Sequence, residues 1–209
     1  MTNRMGRLLA LIVLTAGVGL GTPRDAAAQG KIELTPFAGM YYTLTTMADD
    51  IFQDGSNWTA RQLTAGAFGG RLAYWVSNTM GIEAAGTYSK SGVRIANSGG
   101  DSLFFGQGTL ISASARLLYR PARTNLHAII GAGIVHRGGD AWQGGEKLTK
   151  PAVTLGLGVR AAVSPKFALN LNAEGNVYSF DIDGSGSTFS SKMQADVTVT
   201  IGIPLTLGH

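Results

Sequence analysis

From Lys31 onward, apolar and polar residues alternate along the chain with a period of two. The pattern is clearest between Met193 and Leu205. There Met193, Ala195, Val197, Val199, Ile201, Ile203 and Leu205 take one parity, and Gln194, Asp196, Thr198, Thr200, Gly202 and Pro204 the other. Successive side chains of a strand point to opposite faces, so such a segment has one oily and one polar face. Pro151–Val163, Phe167–Val177 and Thr109–Tyr119 repeat the design, and weaker alternation runs through Ile32–Tyr42, Ala65–Val76, Gly81–Ser89 and Leu126–Val135. Strands of about 9 to 13 residues exceed the five or six usual in globular sheets and suit a tilted crossing of a bilayer.

The connections alternate as well. Ser77–Thr79, Pro121–Thr124 and Ser164-Pro165 are short and made of turn-forming residues, whereas Thr43–Ala60, Lys90–Leu103, Gly138–Thr149 and Asp181–Ser191 are long. Short turns on one side and long loops on the other are the plan of an outer-membrane barrel, with both termini on the periplasmic side. Closure leaves no unpaired edge, which lipid could not satisfy. The expected fold is therefore all-β: an eight-stranded antiparallel up-and-down transmembrane β-barrel.

Composition indicates which row faces lipid. Only 14% of the residues are charged, against about 25% in ordinary soluble chains. A soluble periplasmic barrel with a lipophile inside would need a water-facing row dense in Lys and Glu. Here the polar row is mostly Gly, Ala, Ser, Thr and Asn, residues that fit the narrow bore of an eight-stranded barrel. That row also carries Glu33, Glu83, Glu174 and Asp196 alongside Arg71, Arg116, Arg160 and Lys192. The matched signs predict a charge network in the lumen, where pairing offsets desolvation. Tyr74, Tyr119 and Phe167 near the short turns, with Tyr42, Tyr88 and Phe105 near the long loops, suggest two interfacial belts.

The first 28 residues read as a leader. Arg4 and Arg7 precede the apolar run Leu8–Leu20, and Ala26-Ala27-Ala28 offers a cleavage site, which implies export through the Sec pathway and a barrel domain over 29–209. The formal charge of the whole chain is +4, and the leader carries three of its 17 bases and one of its 13 acids, leaving +2. That near-neutral remainder gives no case for a nucleic-acid partner. The absence of cysteine excludes disulfides, iron–sulfur clusters and thiolate zinc sites.

Ile32-Glu33-Leu34-Thr35-Pro36-Phe37-Ala38-Gly39, a first strand following a leader, resembles the opening of small bacterial outer-membrane β-barrel proteins. The likeness, to the eight-stranded class that includes the OmpA membrane domain and OmpX, covers essentially all of the chain after the leader. It implies outer-membrane localisation, contact with outer-membrane lipid and lipopolysaccharide, insertion by the barrel-assembly machinery, and a monomer. It carries fold more than function. The final residues, Leu205-Thr206-Leu207-Gly208-His209, lack the aromatic end usual in that class.

Other motifs have plainer readings. Gly156-Leu157-Gly158-Val159-Arg160-Ala161 matches a dinucleotide fingerprint, but alternation runs straight through it where the fingerprint needs a strand-to-helix turn. Asp181–Ser187 spaces oxygens as calcium loops do, yet lacks the distal carboxylate, and Asp49, Asp50 and Asp54 could bind cations bridging lipopolysaccharide phosphates. His136, with Ser89 or Ser179 and Asp140, outlines a lipid-modifying enzyme. The reading adopted is a non-enzymatic structural or surface-interaction barrel without metal or cofactor. A lipid-modifying enzyme and a narrow channel or carrier of small hydrophobic solutes are the alternatives.

Overall fold

The computed structural model describes residues 30–46, 48–49, 58–97, 99–142, 148–164, 167–180, 183–184, 187–188 and 192–207. The leader and its cleavage site lie outside these residues, as do Asp50, Asp54 and most of the Asp181–Ser187 loop. Eight antiparallel strands form the wall: β1 (Lys31–Thr43), β2 (Ala65–Trp75), β3 (Met80–Ala96), β4 (Ser102–Tyr119), β5 (Leu126–Gly138), β6 (Thr149–Ser164), β7 (Phe167–Phe180) and β8 (Lys192–Gly202). Each pairs with the next, and β8 returns to β1 with Gly202 opposite Phe37 and Asp196 opposite Thr43. The barrel is closed.

The closing seam has one interruption. The Ile203 amide still donates to the Pro36 carbonyl at 3.1 Å, but Pro204 cannot donate a ladder hydrogen bond, and regular pairing resumes where Leu205–Leu207 pairs with Leu34, Glu33 and Ile32. Tight chemistry also governs the short turns. The Ser77 hydroxyl accepts from the amides of Thr79 (3.2 Å) and Met80 (3.0 Å), and the Thr124 hydroxyl donates to the Pro121 carbonyl at 2.9 Å.

Facing follows the alternation. Ile82, Leu117, Ile130 and Leu155 are each about half exposed on the outside, while Arg71, Arg116, Thr154 and Thr200 are buried within. This outward oily row contradicts the soluble alternative. The lumen is less polar than the alternation suggests, however. Trp75, Leu118 and Ile129 are buried toward the short-turn end, and Tyr41, Val93, Leu110, Val135 and Trp142 toward the long-loop end. Of the expected belts, Tyr74, Tyr119 and Phe167 are exposed near the short turns; the Phe105 side chain lies outside the described residues, and its neighbour Phe104 is exposed.

Two strands run further than their alternation signals. β3 continues to Ala96 and β4 begins at Ser102, so their connection is residues 97–101 and not the expected Lys90–Leu103. Ser91, Val93 and Ile95 keep the buried parity through this extension. It is widened by Thr59–Gln62, which pairs with Val93–Ala96, to make a crown above the barrel. Leu63 and Thr64 together oppose Gly92, because Gln62 pairs with Val93 whereas Ala67 pairs with Ser89. This β-bulge reverses facing: odd residues of β2 point inward, but even residues Ala60 and Gln62 are the buried ones above it.

The two faces should respond differently to mutation. Val199→Arg, on the outward parity near the middle of β8, is expected to lower folding stability by about 2–4 kcal/mol. Thr200→Ser, which retains the hydroxyl that Arg71 donates to at 2.6 Å, should change it by less than about 0.5 kcal/mol. Urea titration of the barrel in lipid vesicles measures both, and equal costs would contradict the facing.

Candidate functional site

The buried polar side chains of the lumen form three layers, each tying distant strands together. In the layer nearest the short turns, the Glu33 carboxylate of β1 accepts from the Trp75 indole at 3.0 Å and from Arg160 of β6 at 2.8 Å. The Arg120 guanidinium lies 4.0 Å above the Trp75 ring, a favourable cation–π placement. The cavity that remains among Glu33, Trp75, Arg120, His127 and Asn172 is about 20 Å³, room for about one water molecule.

Glu174 of β7 organises the middle layer. One carboxylate oxygen accepts from Arg71 Nε of β2 at 3.1 Å, with Nη2 of the same guanidinium 2.8 Å away, and the other accepts from Arg116 of β4 at 2.6 Å. Arg116 also lies 3.3 Å from Glu83, and Arg71 sits 4.0 Å above the Phe37 ring. All four charged groups are nearly excluded from solvent. Arg suits this position because its rigid fork reaches two acceptors at once.

The outer layer centres on Arg137 of β5. It pairs with Asp196 of β8 at 3.1 Å and donates to Gln62 and to the hydroxyls of Tyr178 and Tyr41. Tyr178 in turn donates to Asp196 at 2.5 Å. Above this layer the 3-10 turn Asp140–Trp142 lays Trp142 among Val93, Leu110 and Val135. The outer mouth is thereby covered with apolar side chains.

Of the eight residues read from the sequence as a lumen charge network, Glu33 meets Arg160, Glu174 and Glu83 meet Arg71 and Arg116, and Asp196 meets Arg137. Lys192 begins β8, but its side chain lies outside the described residues. Arg137 was not foreseen because it follows the last residue of the apolar alternation and precedes Gly138-Gly139-Asp140, which reads as loop. The sequence places His127 at the start of a strand and Asn172 in a polar row, without signalling that the two meet. Both crowd Gly158, where a Cβ would sit 2.0 Å from the Asn172 side chain and 2.3 Å from the His127 ring. The glycines of the supposed dinucleotide fingerprint therefore lie in a continuous strand and make room inside the bore.

The enzyme-like grouping does not assemble. His136 faces outward and shares a 2.7 Å hydrogen bond with Thr149. Ser89 points into the lumen, fully buried, and donates to the Gly66 carbonyl at 3.0 Å. Ser179 is exposed on β7, beyond the intervening β6. Among the described residues, no cluster of His, Cys, Asp and Glu has metal-ligand spacing.

Neutralising Glu174 leaves Arg71 buried without its ion-pair partner and Arg116 with Glu83 alone. Glu174→Gln is expected to cost about 3–5 kcal/mol, whereas His136→Ala should fall within about 0.5 kcal/mol of the parent. The same urea titration distinguishes them; a mild effect of Glu174→Gln would mean that this layer is dispensable to the barrel.

No protein-family model and no curated protein matches the chain. Among solved structures, the outer membrane protein OprG from Pseudomonas aeruginosa is similar over 85% of this chain and 96% of its own, at 15% identity and a TM-score of 0.54. The outer membrane protein AlkL, determined in DMPC lipid bilayers, is similar over 91% of this chain and 97% of its own, at 14% identity and a TM-score of 0.55. At these identities the likeness is one of fold. Joined to the apolar exterior and the closed wall, it identifies the chain as a small eight-stranded β-barrel of the bacterial outer-membrane type.

Proposed function

We propose that this protein is a non-conducting, non-enzymatic barrel of the outer membrane, acting as a structural and surface-interaction module through its external crown and loops. The observation that carries the reading is the filling of the bore. Three side-chain layers cross it, apolar side chains pack against the outermost of them, and the cavity near the short turns holds about 20 Å³. A hydrated ion or a solute would have to break buried ion pairs to pass, and desolvated charges resist such separation. Dispersal of His136 and Ser89 onto opposite faces of the wall speaks against a lipid-modifying site. A monomer and insertion by the barrel-assembly machinery belong to the same proposal, since the closed wall leaves no strand edge for a partner.

Purified protein in planar bilayers should give no discrete current steps above the lipid baseline. Steps that persist in independent preparations would replace this reading with that of a narrow channel. Mass spectra of lipid A from cells expressing the parent and His136→Ala should be identical; a modification present only with the parent would restore the enzyme reading.

A further inference from the structure

The charges of the bore do not balance at its short-turn end. From the middle layer to that mouth, the guanidiniums of Arg71, Arg116, Arg120 and Arg160 meet the carboxylates of Glu33, Glu83 and Glu174, one anion too few. Arg120 is the odd member. Its amide donates to the Thr79 carbonyl at 2.8 Å, which fixes its backbone, and its guanidinium lies over the Trp75 ring. Glu33, the acid of this layer, is already turned to Arg160 and to the Trp75 indole. The Arg120 Nε is buried and donates to no acceptor among the described residues. Stacking on an indole offsets part of the cost of hiding a cation but supplies no counter-charge.

The cavity of about 20 Å³ lies beside this guanidinium, bordered also by Arg160, Asn170 and the buried His127. Asn170 Oδ1 is buried and finds no donor. A half-turn of that amide exchanges its oxygen for an NH2 group, which then donates into the cavity beside guanidiniums that can only donate. The two carboxylates on the border are both directed at arginines, Glu33 at Arg160 and Glu83 at Arg116. Size narrows the choice of anion. Room for about one water molecule excludes phosphate, sulfate and organic carboxylates, but a halide ion is little larger than water. The way in is from the short-turn side, where Arg120 is only partly buried, because the middle layer above is closed to solvent. Lys31 and Arg123 at that rim add to a field that attracts anions.

We propose that this cavity is a halide site, which holds one chloride between Arg120, Arg160 and Asn170 as the missing counter-ion. The ion is held and not passed, since the ion pairs of the middle layer lie directly above it. The inference therefore stands apart from the question of conduction and extends to what the bore binds.

Urea titration of the barrel in phosphatidylcholine vesicles tests it, with chloride exchanged for gluconate at constant ionic strength. Gluconate is too large for the cavity. The parent midpoint should rise by about 0.5–1 M urea for each tenfold increase in chloride once the site begins to fill, and bromide should replace chloride. Arg120→Met keeps a stem over Trp75 without the charge and should abolish the dependence. Asn170→Asp places a fixed carboxylate on the cavity wall, so it should be as stable in gluconate as the parent is in chloride, and indifferent to halide. Arg123→Gln, on the exposed turn, should keep the parent's dependence, which separates a site from general screening. Crystals grown in bromide should show an anomalous peak in the cavity. A parent midpoint indifferent to halide, dependence surviving in Arg120→Met or Asn170→Asp, or its loss in Arg123→Gln would overturn the site. A cavity holding water alone would do the same, and a bromide peak without a shift in midpoint would mean an adventitious ion only.

Discussion

An eight-stranded barrel closes around a bore only as wide as the side chains of its own wall, and that width governs everything inside this protein. Water has almost no room to solvate a charge there, so each buried ionic group must find its complement on another strand. The lumen answers with long cations and compact acids placed across the bore. Arg71 and Arg116 reach Glu174 from β2 and β4, Arg160 reaches Glu33, and Arg137 reaches Asp196. Neighbouring strands are already joined by backbone ladders. These ion pairs add what the ladders cannot, ties between staves that never touch edge to edge.

The same width explains the glycines and the apolar plugs. A guanidinium spanning the bore needs a thin wall beside its stem, and Gly131 supplies one for Arg116, whose Cγ would lie 2.7 Å from a Cβ there; Gly158 does the same for His127 and Asn172. Beyond the outer ionic layer the remaining volume is taken by Leu110, Val135 and Trp142, whereas at the other end Trp75, Leu118 and Ile129 pack among Glu33, Arg120 and His127. Hydrocarbon packed against the charges lowers the local dielectric and strengthens each pair.

Much of this plan was legible in the alternation of residues. β6, β7 and β8 announce themselves because each facing row there is chemically uniform, and the lipid side needs no partner to be recognised. What stayed hidden depends on contacts between segments far apart in sequence. Arg137 belongs to the bore only because β5 runs on to Gly138, beyond its last apolar residue. The extension of β3 was obscured by Lys90, Gly92 and Arg94, which occupy its outward row and mimic a loop. Trp75, Leu110 and Val135 read as lipid-facing by character, yet they point inward because parity overrides hydrophobicity once the register is set. His127 and Asn172 carry no local signal, since their role is to fill space beside one glycine.

The bulge at Leu63 and Thr64 acts as a gear between two zones of the wall. It lets Gln62 turn toward Arg137 while Arg61 turns outward, although the strand below obeys the opposite parity. Removing one residue there would let the ladder run unbroken from Gln62–Val93 to Ala67–Ser89, and Gln62 and Arg61 would keep their faces because each would still lie opposite its partner on β3. The extra residue therefore sets the bend of this stave and not the orientation of its side chains, so a descendant of the sequence could lose it at the expense of the local twist alone.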